Sequence, residues 1–285
     1  MVTRKAILIG APYSPQANSR LSGVTKDLRF MRKFLESHVG GNWYPEEIVT
    51  LTSPTKNEVR YQVADAKEDY VLIYFSGHGY TEITRNGQIG KVCLRNGDLN
   101  GTELLSPNSS KQLLIVDSCR TYFQGIYGFD DEFEIPDLAY FTGSPTRHKF
   151  DEAIQNSPDG IKIIYSTKPG EVSYDSRRGG IFTQSLIRST FTLGGKFEYG
   201  HPISVEQTMV TTRRFMKAND EKQTPEIALS IGQMTVPFCY DINQKPLKTI
   251  VTRPTNKRQT VMRKREPDWI SVTLVVVLFA LILGD

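Results

Sequence analysis

Short apolar runs that alternate with amphipathic segments constrain the fold of this chain more than any other feature. Tyr70–Phe75 carries no charged residue, and strands that are apolar on both faces are typical of the interior of a parallel sheet. Val24, Leu28, Met31 and Leu35 recur at the spacing of one helical face. Strands that alternate with helices predict an α/β fold, with a mainly parallel sheet and helices on both faces.

The same alternation continues along most of the chain. The predicted strands are Lys5–Ala11, Glu47–Leu51, Tyr70–Phe75, Gln112–Asp117, Ile161–Tyr165 and Val236–Tyr240, and further predicted helices are Lys56–Ala66, Phe182–Ser189 and Val205–Met216. Asn96 and Gly97 follow Val92–Arg95 and indicate a hairpin at a sheet edge. Thr121–Asp159 has no regular period and is acidic in its middle, so we expect a long loop, which in a compact domain is usually functional or disordered.

Charge and cysteine content exclude several classes of function. The chain of 285 residues has a net charge of +4, but the residues from Asn243 onward carry +5, which leaves −1 for residues 1–242. A nucleic-acid-binding domain would carry a basic excess, so we expect no nucleic-acid partner. Three cysteines without CxxC spacing argue against a disulfide framework and against a zinc site. Cys93 and Cys239 lie in apolar strand patterns and are expected in the core.

The last part of the chain has a different character. Trp269–Leu283 contains no charged residue, and seven Lys or Arg precede it between Lys248 and Arg265. This pattern is typical of a membrane-spanning tail with a basic cytoplasmic flank, although at about 1.5 Å per residue it covers roughly 22 Å of a bilayer core near 30 Å. A helix packed on the domain or on a partner is the alternative.

We therefore divide the chain into a folded body, 1–242, a basic linker, 243–268, and a predicted transmembrane helix, 269–283. The N-terminal apolar run Ala6–Ile9 is too short for a secretory signal. The expected location is consequently a membrane, crossed once, with the body of the protein in the cytoplasm.

Two polar motifs follow two of the predicted central strands. Ser76-Gly77-His78-Gly79 comes directly after one strand, and Asp117-Ser118-Cys119-Arg120 ends another. Because ligands bind at the carboxyl ends of parallel strands, we expect His78 and Cys119 to lie close together. A thiol beside an imidazole suits nucleophilic catalysis, since the imidazole can lower the thiol pKa and later protonate a leaving amine. The Gly79 and Cys119 amides are candidate oxyanion donors; a His and a Cys that are merely part of the core are the alternative.

At these residues the chain resembles the caspase-like cysteine peptidases, which include caspases, paracaspases and metacaspases. The resemblance covers most of residues 5–240, and the segments that carry it are Lys5–Gly10, Leu21–Gly23 with Asp27, Ser76–Tyr80, Asp117–Arg120, Tyr165–Asp175, Gly180–Thr183 and Gln223–Glu226. The order of the His-Gly and Asp-Ser-Cys motifs, their separation and the downstream match make it specific. It implies a caspase-like peptidase domain over 1–242, with His78 and Cys119 as the catalytic dyad.

The resemblance also implies a substrate preference. In caspases, a Gln two residues before the nucleophile and an Arg after a Ser-aromatic pair bind an acidic side chain, whereas this chain has Asp117 and Asp175 at those places. Asp27, Asp117 and Asp175 match three acids that line the primary pocket of paracaspases, and Ser76 matches a further metacaspase pocket residue. Three carboxylates around one slot favour Arg or Lys before the scissile bond and disfavour Asp. The guanidinium of Arg suits paired carboxylates best.

Each pocket acid has a plainer alternative role. Asp27 could be a solvated helix residue, Asp117 a strand cap and Asp175 a loop acid. In addition, Arg20 lies near the place of another caspase pocket Arg, offset by one residue. If the Arg20 side chain pointed inward, the pocket would be less acidic than the three aspartates suggest.

The chain also departs from the family pattern. Thr121 stands where a Gly usually follows the Cys-Arg pair, and Asn96-Gly97-Asp98 lacks the paired acids that bind calcium in many metacaspases, so we expect no metal and no cofactor. The leading hypothesis is a cysteine endopeptidase acting on protein substrates, which could also cleave itself at Arg120, Arg147 or Lys149. The alternatives are a catalytically silent adaptor that recruits partners at a membrane, and an enzyme that is dormant until a partner or homodimer formation orders the long loop.

Overall fold

The computed structural model describes residues 2–15, 20–85, 87–121, 146–176, 178–193, 201–218 and 223–241. All of them belong to one unit, Met1–Leu247. The predicted basic linker, the predicted transmembrane helix and the acidic run near residue 130 lie outside the described residues. Within the described ranges, no helix is long and apolar enough to cross a bilayer.

The strands in the described ranges, in chain order, are β1 (Arg4–Ala11), β2 (Ile48–Thr52), β3 (Tyr70–Gly77), β4 (Gly79–Thr84), β5 (Gly87–Leu94), β6 (Gly97–Asn100), β7 (Lys111–Asp117), β8 (Gly160–Tyr165), β9 (Asp175–Ser176), β10 (Gly179–Gly180), β11 (Pro202–Ile203), β12 (Glu226–Gly232) and β13 (Cys239–Tyr240). The helices are α1 (Val24–Glu36), α2 (Lys56–Asp65), α3 (Thr146–Asn156), α4 (Ile181–Leu193) and α5 (Val205–Ala218), and short 3₁₀ turns cover Pro45–Glu47 and Gly101–Leu104.

A six-stranded sheet forms the centre of the fold, in the order β2-β1-β3-β7-β8-β12. The strands from β2 to β8 run parallel, and β12 pairs antiparallel with β8. The predicted α/β fold with a mainly parallel sheet is therefore confirmed. A smaller antiparallel sheet, β4-β5-β6, follows β3 directly and contains the predicted hairpin at Asn96 and Gly97.

The two faces of the sheet bury two separate cores, because side chains alternate between the faces of a strand. In β1, Ala6 and Leu8 pack into the core that includes residues of α1, α4 and α5, whereas Ile7 and Ile9 pack with residues of α2. All eight residues of β3 are buried. Burial on both faces explains why the central runs are apolar without alternation.

Three of the departures from the predicted pattern have a clear physical reason. The helix α3 lies inside Thr121–Asp159, which the pattern predicts to be a loop; its buried Phe150 and Ile154 lie one helical turn apart, but charged neighbours obscure this short stripe. The sequence pattern does not predict the strand β12, because four of its seven residues are exposed. Val236–Tyr240, predicted to be a strand, contributes only the two-residue strand β13.

Candidate active site

The parallel pairing of β3 with β7 places the two polar motifs side by side. Ser76 of β3 is paired with Asp117 of β7, and His78 and Cys119 each lie two residues further along the chain. Both residues therefore leave the same edge of the sheet. They line one cleft, which has a volume of about 420 Å³ including its open mouth.

Backbone hydrogen bonds hold His78 from two sides. Its amide donates to the Ala11 carbonyl at the end of β1 (3.4 Å), and its carbonyl accepts from the Cys93 amide of β5 (2.9 Å). The following Gly79 passes close to the segment that carries the thiol, since a Cβ there would lie 2.6 Å from Ser118 Oγ. The absence of a side chain at Gly79 thus permits the imidazole and the thiol to approach the same cleft.

The amide of Gly79 faces the segment that carries the thiol. The His78 carbonyl points toward β5, because it accepts from the Cys93 amide. Since a carbonyl and the N–H of the next residue point to opposite sides of a strand, the Gly79 N–H points away from β5. Thr81 follows on the same side of β4, and its N–H donates to the Thr121 carbonyl (3.2 Å). The Gly79 N–H consequently points toward the loop after β7.

Cys119 opens the loop after β7, and its side chain is partly buried. The Sγ–H donates to the Ser173 carbonyl (3.4 Å). Burial raises the pKa of the thiol to about 11, and the carboxylates of Asp117 and Asp175 also raise it. The sequence suggests a lowered thiol pKa beside His78. The shift in this structure has the opposite direction, because burial and two negative neighbours disfavour a thiolate.

Asp27 is the least exposed of three carboxylates in the cleft, at 1%. It lies in the first turn of α1, where its Oδ2 accepts from Ser76 Oγ (2.8 Å) and its Oδ1 accepts from the Gly180 amide (2.7 Å). Burial raises the pKa of Asp27 well above its ordinary value, and the charge of Asp117 raises it further, against both hydrogen bonds. The solvated helix residue that we considered as an alternative is therefore excluded.

Asp117 ends β7 and meets the N-terminus of α4. Its Oδ1 accepts from Ser173 Oγ (2.7 Å), and its Oδ2 accepts from Thr183 Oγ1 (2.6 Å) and from the Thr183 amide (3.2 Å). That amide belongs to the first turn of α4, so the helix dipole also stabilises the negative charge. Burial nevertheless raises the pKa of Asp117 above its ordinary value.

Asp175, in β9, reaches the N-terminus of α1. Its Oδ2 accepts from the Gly23 amide (3.0 Å). Burial raises its pKa to about 6, and the neighbouring Asp117 charge also raises it, whereas the Gly23 hydrogen bond lowers it. Among the described residues, no Lys or Arg lines the cleft, and Arg20 is exposed. The acids are therefore not neutralised by Arg20.

The sequence model of the caspase domain matches residues 3–234 of this chain. The chain belongs to the caspase-domain family. Caspase-1 from Spodoptera frugiperda has a similar structure, with a TM-score of 0.55 and 14% sequence identity, and the match covers 82% of this chain and 90% of that chain. A second similar structure is protein GSU0716 from Geobacter sulfurreducens, with a TM-score of 0.54, 19% identity, and coverage of 84% of this chain and 99% of that chain. No curated protein matches the sequence.

Several partners of the acids in this caspase domain were not singled out by the sequence. Ser173 and Thr183 hold Asp117, and Gln223 Nε2 in turn donates to Ser173 Oγ (3.0 Å) and to the Ser166 carbonyl (3.0 Å). These residues lie within segments that carry the family resemblance, but no motif assigns them a role. That location is a signal that the sequence contains for them.

The residue after the thiol anchors its loop within the caspase domain. Arg120 is 7% exposed. Its guanidinium lies over the Tyr165 ring at 4.1 Å, donates to the Thr167 carbonyl (3.3 Å) and forms an ion pair with Glu226 of β12. The Arg120 amide donates to the Glu171 carbonyl (3.0 Å). A side chain held in this way is not available to the cleft, which argues against self-cleavage after Arg120.

The other two self-cleavage positions predicted from the sequence, Arg147 and Lys149, lie in α3. Arg147 donates to both carboxylate oxygens of Glu47 (2.8 and 2.7 Å) and lies over the Tyr44 ring at 3.6 Å. A peptide bond within this helix would have to unfold before it could enter the cleft. Neither Arg147 nor Lys149 lines the cleft that contains Cys119 and His78.

The remaining thiols are part of the core. Cys93 and Cys239 are fully buried, and burial raises the pKa of each thiol to about 12. Neither lines the cleft, whereas Cys119 does. In the described ranges, no group of three or more His, Cys, Asp or Glu is arranged to hold a metal ion.

Proposed function

We propose that this caspase-domain protein is a cysteine endopeptidase that cleaves protein substrates after Arg or Lys. The observation that supports it most is the composition of one cleft, where Cys119 and His78 lie with Asp27, Asp117 and Asp175. The thiol and the imidazole supply a nucleophile and a base. The three acids supply affinity for a cationic side chain.

In the proposed reaction, Cys119 Sγ attacks the carbonyl carbon of the scissile bond while the thiol proton passes to the His78 imidazole. The imidazolium then protonates the leaving amine, the C–N bond breaks, and an acyl thioester remains. His78 next removes a proton from water, which attacks the thioester and restores the thiol. Because the thiol pKa is raised to about 11, proton transfer would accompany attack rather than precede it. The Gly79 and Cys119 amides would stabilise the oxyanion.

Charge complementarity supports the basic preference. A guanidinium can donate to two carboxylates at once, whereas an ammonium is a point charge, so Arg should be preferred over Lys. The cation would also remove the repulsion between Asp27 and Asp117, which contributes to the high pKa of Asp27. An Asp before the scissile bond would instead bring a further carboxylate into a cleft that already holds three acids.

Three matched fluorogenic peptides test this proposal. They carry Arg, Lys or Asp immediately before the fluorescent reporter. We expect the Arg peptide to be cleaved faster than the Lys peptide, and the Asp peptide not to be cleaved. We also expect Cys119→Ala and His78→Ala to abolish turnover. Preference for the Asp peptide would contradict the assignment of the pocket. Cleavage of the Arg peptide by Cys119→Ala would contradict the assignment of the nucleophile.

A chloromethyl ketone that carries an Arg side chain provides an internal control. We expect one adduct, at Cys119, because Cys93 and Cys239 are fully buried in the folded protein. Peptide mapping by mass spectrometry locates the adduct. Modification of all three cysteines would show that the sample is unfolded. An adduct at Cys119 without turnover of any peptide would favour the alternative of a catalytically silent adaptor.

For the end of the chain, the proposal rests on the sequence alone. Trp269–Leu283 would anchor the protein in a membrane as a single span, with the caspase domain in the cytoplasm. The full chain should then require detergent for extraction from membranes, and a chain that ends at Ile242 should not. Extraction of the full chain by buffer alone would contradict the anchor.

We also propose that two copies of the chain form a homodimer. Among the described strands, β12 pairs with β8 alone, and four of its seven residues are exposed. An open strand edge can pair with another chain. If dimer formation activates the enzyme, the specific activity should rise with protein concentration; a constant specific activity from nanomolar to micromolar protein would exclude this mode of activation.

A further inference from the structure

A buried tyrosine lies beneath the acidic cleft without lining it. Tyr74 of β3 is 0% exposed, and it lies two residues before Ser76, so both side chains are on the same face of the strand. Its hydroxyl is 2.5 Å from Thr183 Oγ1 in the first turn of α4. A phenol thus lies directly behind the Thr183 hydroxyl, which binds one acid of the pocket, Asp117.

The direction of these hydrogen bonds follows from the number of protons. Thr183 has one hydroxyl proton, and it donates this proton to Asp117 Oδ2 (2.6 Å). The Thr183 oxygen can therefore only accept from Tyr74, whose O–H becomes the donor. The Tyr74 hydroxyl therefore donates to the Thr183 hydroxyl, which in turn donates to the Asp117 carboxylate. Within the same group, Ser76 Oγ donates to Asp27 Oδ2 (2.8 Å).

We infer that Tyr74 and Thr183 are positioning residues that determine the preference for a basic side chain. They stabilise the charged form of the Asp117 carboxylate and orient it toward the bottom of the cleft. This role rests on the proposed cleavage after Arg or Lys. Neither residue lines the cleft, so neither would touch the substrate.

The need for such support arises from burial. Asp117 is 5% exposed and lies near Asp27, which is 1% exposed, and no Lys or Arg from the described part of the chain lines the cleft beside them. A buried carboxylate without a cation stays charged only if hydrogen-bond donors surround it. Loss of the Thr183 hydroxyl would leave Asp117 Oδ2 with the Thr183 amide, at 3.2 Å. The carboxyl group would then more readily take up a proton and lose its attraction for a guanidinium.

Two peptides that differ only in charge test this role. One ends in Arg and the other in citrulline, in which a neutral urea replaces the guanidinium. For the wild type we expect a large ratio of kcat/KM for Arg over citrulline. For Thr183→Val we expect this ratio to fall about tenfold, through KM rather than kcat, because one hydrogen bond to a charged group is lost. Thr183→Ser, which keeps the hydroxyl, should restore the ratio.

A matched control is available in the same helix. Thr190 is 1% exposed, and its hydroxyl donates to the Ile187 carbonyl (2.6 Å), away from the cleft. Thr190→Val removes an equally buried hydroxyl and should leave the Arg-to-citrulline ratio unchanged. The kcat/KM profile for Arg should also move to higher pH in Thr183→Val and not in Thr190→Val, since the pocket acid would hold its proton to a higher pH.

The outcomes separate this role from the proposed function. A wild-type ratio near one would contradict the basic preference itself. A large wild-type ratio that persists in Thr183→Val, or that Thr183→Ser fails to restore, would overturn the positioning role and leave the preference intact. If Thr183→Val does not fold, Tyr74→Phe tests the role instead, because it removes only one buried oxygen. A fall in the Arg-to-citrulline ratio would support the positioning role, and an unchanged ratio would overturn it.

Discussion

Gly180 lies so close to Asp117 that a Cβ at this glycine would be 2.6 Å from the Oδ2 atom of the carboxylate. The same Cβ would lie 3.2 Å from Asp27 Oδ2, so the glycine separates two acids that come from different elements. Its amide donates to Asp27 Oδ1. Gly180 therefore provides both a hydrogen bond and the space in which the two acids meet.

Substitution of this glycine should block the pocket. We expect Gly180→Ala to reduce kcat/KM for an Arg-ended peptide by one to two orders of magnitude, because the methyl group pushes the Asp117 and Asp27 carboxylates apart. The rate at which iodoacetamide alkylates Cys119 is the control, since this small neutral reagent does not need the pocket. An equal loss in both measurements would show that the substitution damages the whole domain rather than the pocket.

The ion pair between Arg120 and Glu226 should contribute to stability because it is largely buried. We expect Arg120→Ala to lower the free energy of unfolding by about 3 kcal/mol, since it leaves the Glu226 carboxylate without its partner. Arg60→Ala is a matched control, because the pair of Arg60 with Glu103 is exposed and such pairs contribute about 0–1 kcal/mol. Urea unfolding measures both. Equal effects of the two substitutions would contradict the importance of burial.

The raised pKa of Asp175 predicts a pH dependence of stability. Below about pH 4 the carboxyl group is protonated in the folded and unfolded states alike, and between about pH 4 and pH 6 the folded state holds the proton more tightly. The contribution of Asp175 to stability is therefore greatest in acid and is lost as the pH rises toward 6. We expect the difference in unfolding free energy between wild type and Asp175→Asn to fall over this range.

Asp69 provides a control of opposite sign for that measurement. Its pKa is lowered, chiefly by the hydrogen bond from the Thr3 amide. The wild type should therefore gain stability relative to Asp69→Asn as the pH rises through the acidic range and the carboxylate forms. If both differences changed with pH in the same direction, the assignment of the Asp175 shift to burial would be wrong.

Self-cleavage should be slow in the folded protein. Between Arg120 and Arg147 the sequence contains no Lys or Arg, and both of these arginines are bound to carboxylates. We expect the intact mass of the wild type and that of Cys119→Ala each to stay unchanged during prolonged incubation, measured by mass spectrometry. Fragments that end at Arg120 or Arg147 in the wild type alone would show that these segments leave the domain.

Much of the fold could be predicted because its signals are local. The apolar runs of β1, β3, β7 and β8 reflect burial on both faces of a parallel sheet, and each was predicted to within about two residues. By contrast, β12 and α3 could not be predicted. An exposed edge strand loses the apolar pattern, and α3 is held partly by ion pairs such as that of Arg147 with Glu47, which join residues far apart in the sequence.

For the site, the sequence by itself determined which chemical groups the chain carries: a Cys and a His after two strand ends, and three aspartates at positions that resemble the acidic pocket of paracaspases. Only the tertiary structure decided that these groups share one cleft and that the acids are buried. The register of β3 with β7 aligns Ser76 with Asp117, two residues before His78 and Cys119, and the hydrogen bond from Gly180 to Asp27 spans 153 residues. Burial and the hydrogen bonds that oppose it depend on packing between distant segments, and this packing sets the pKa of each acid.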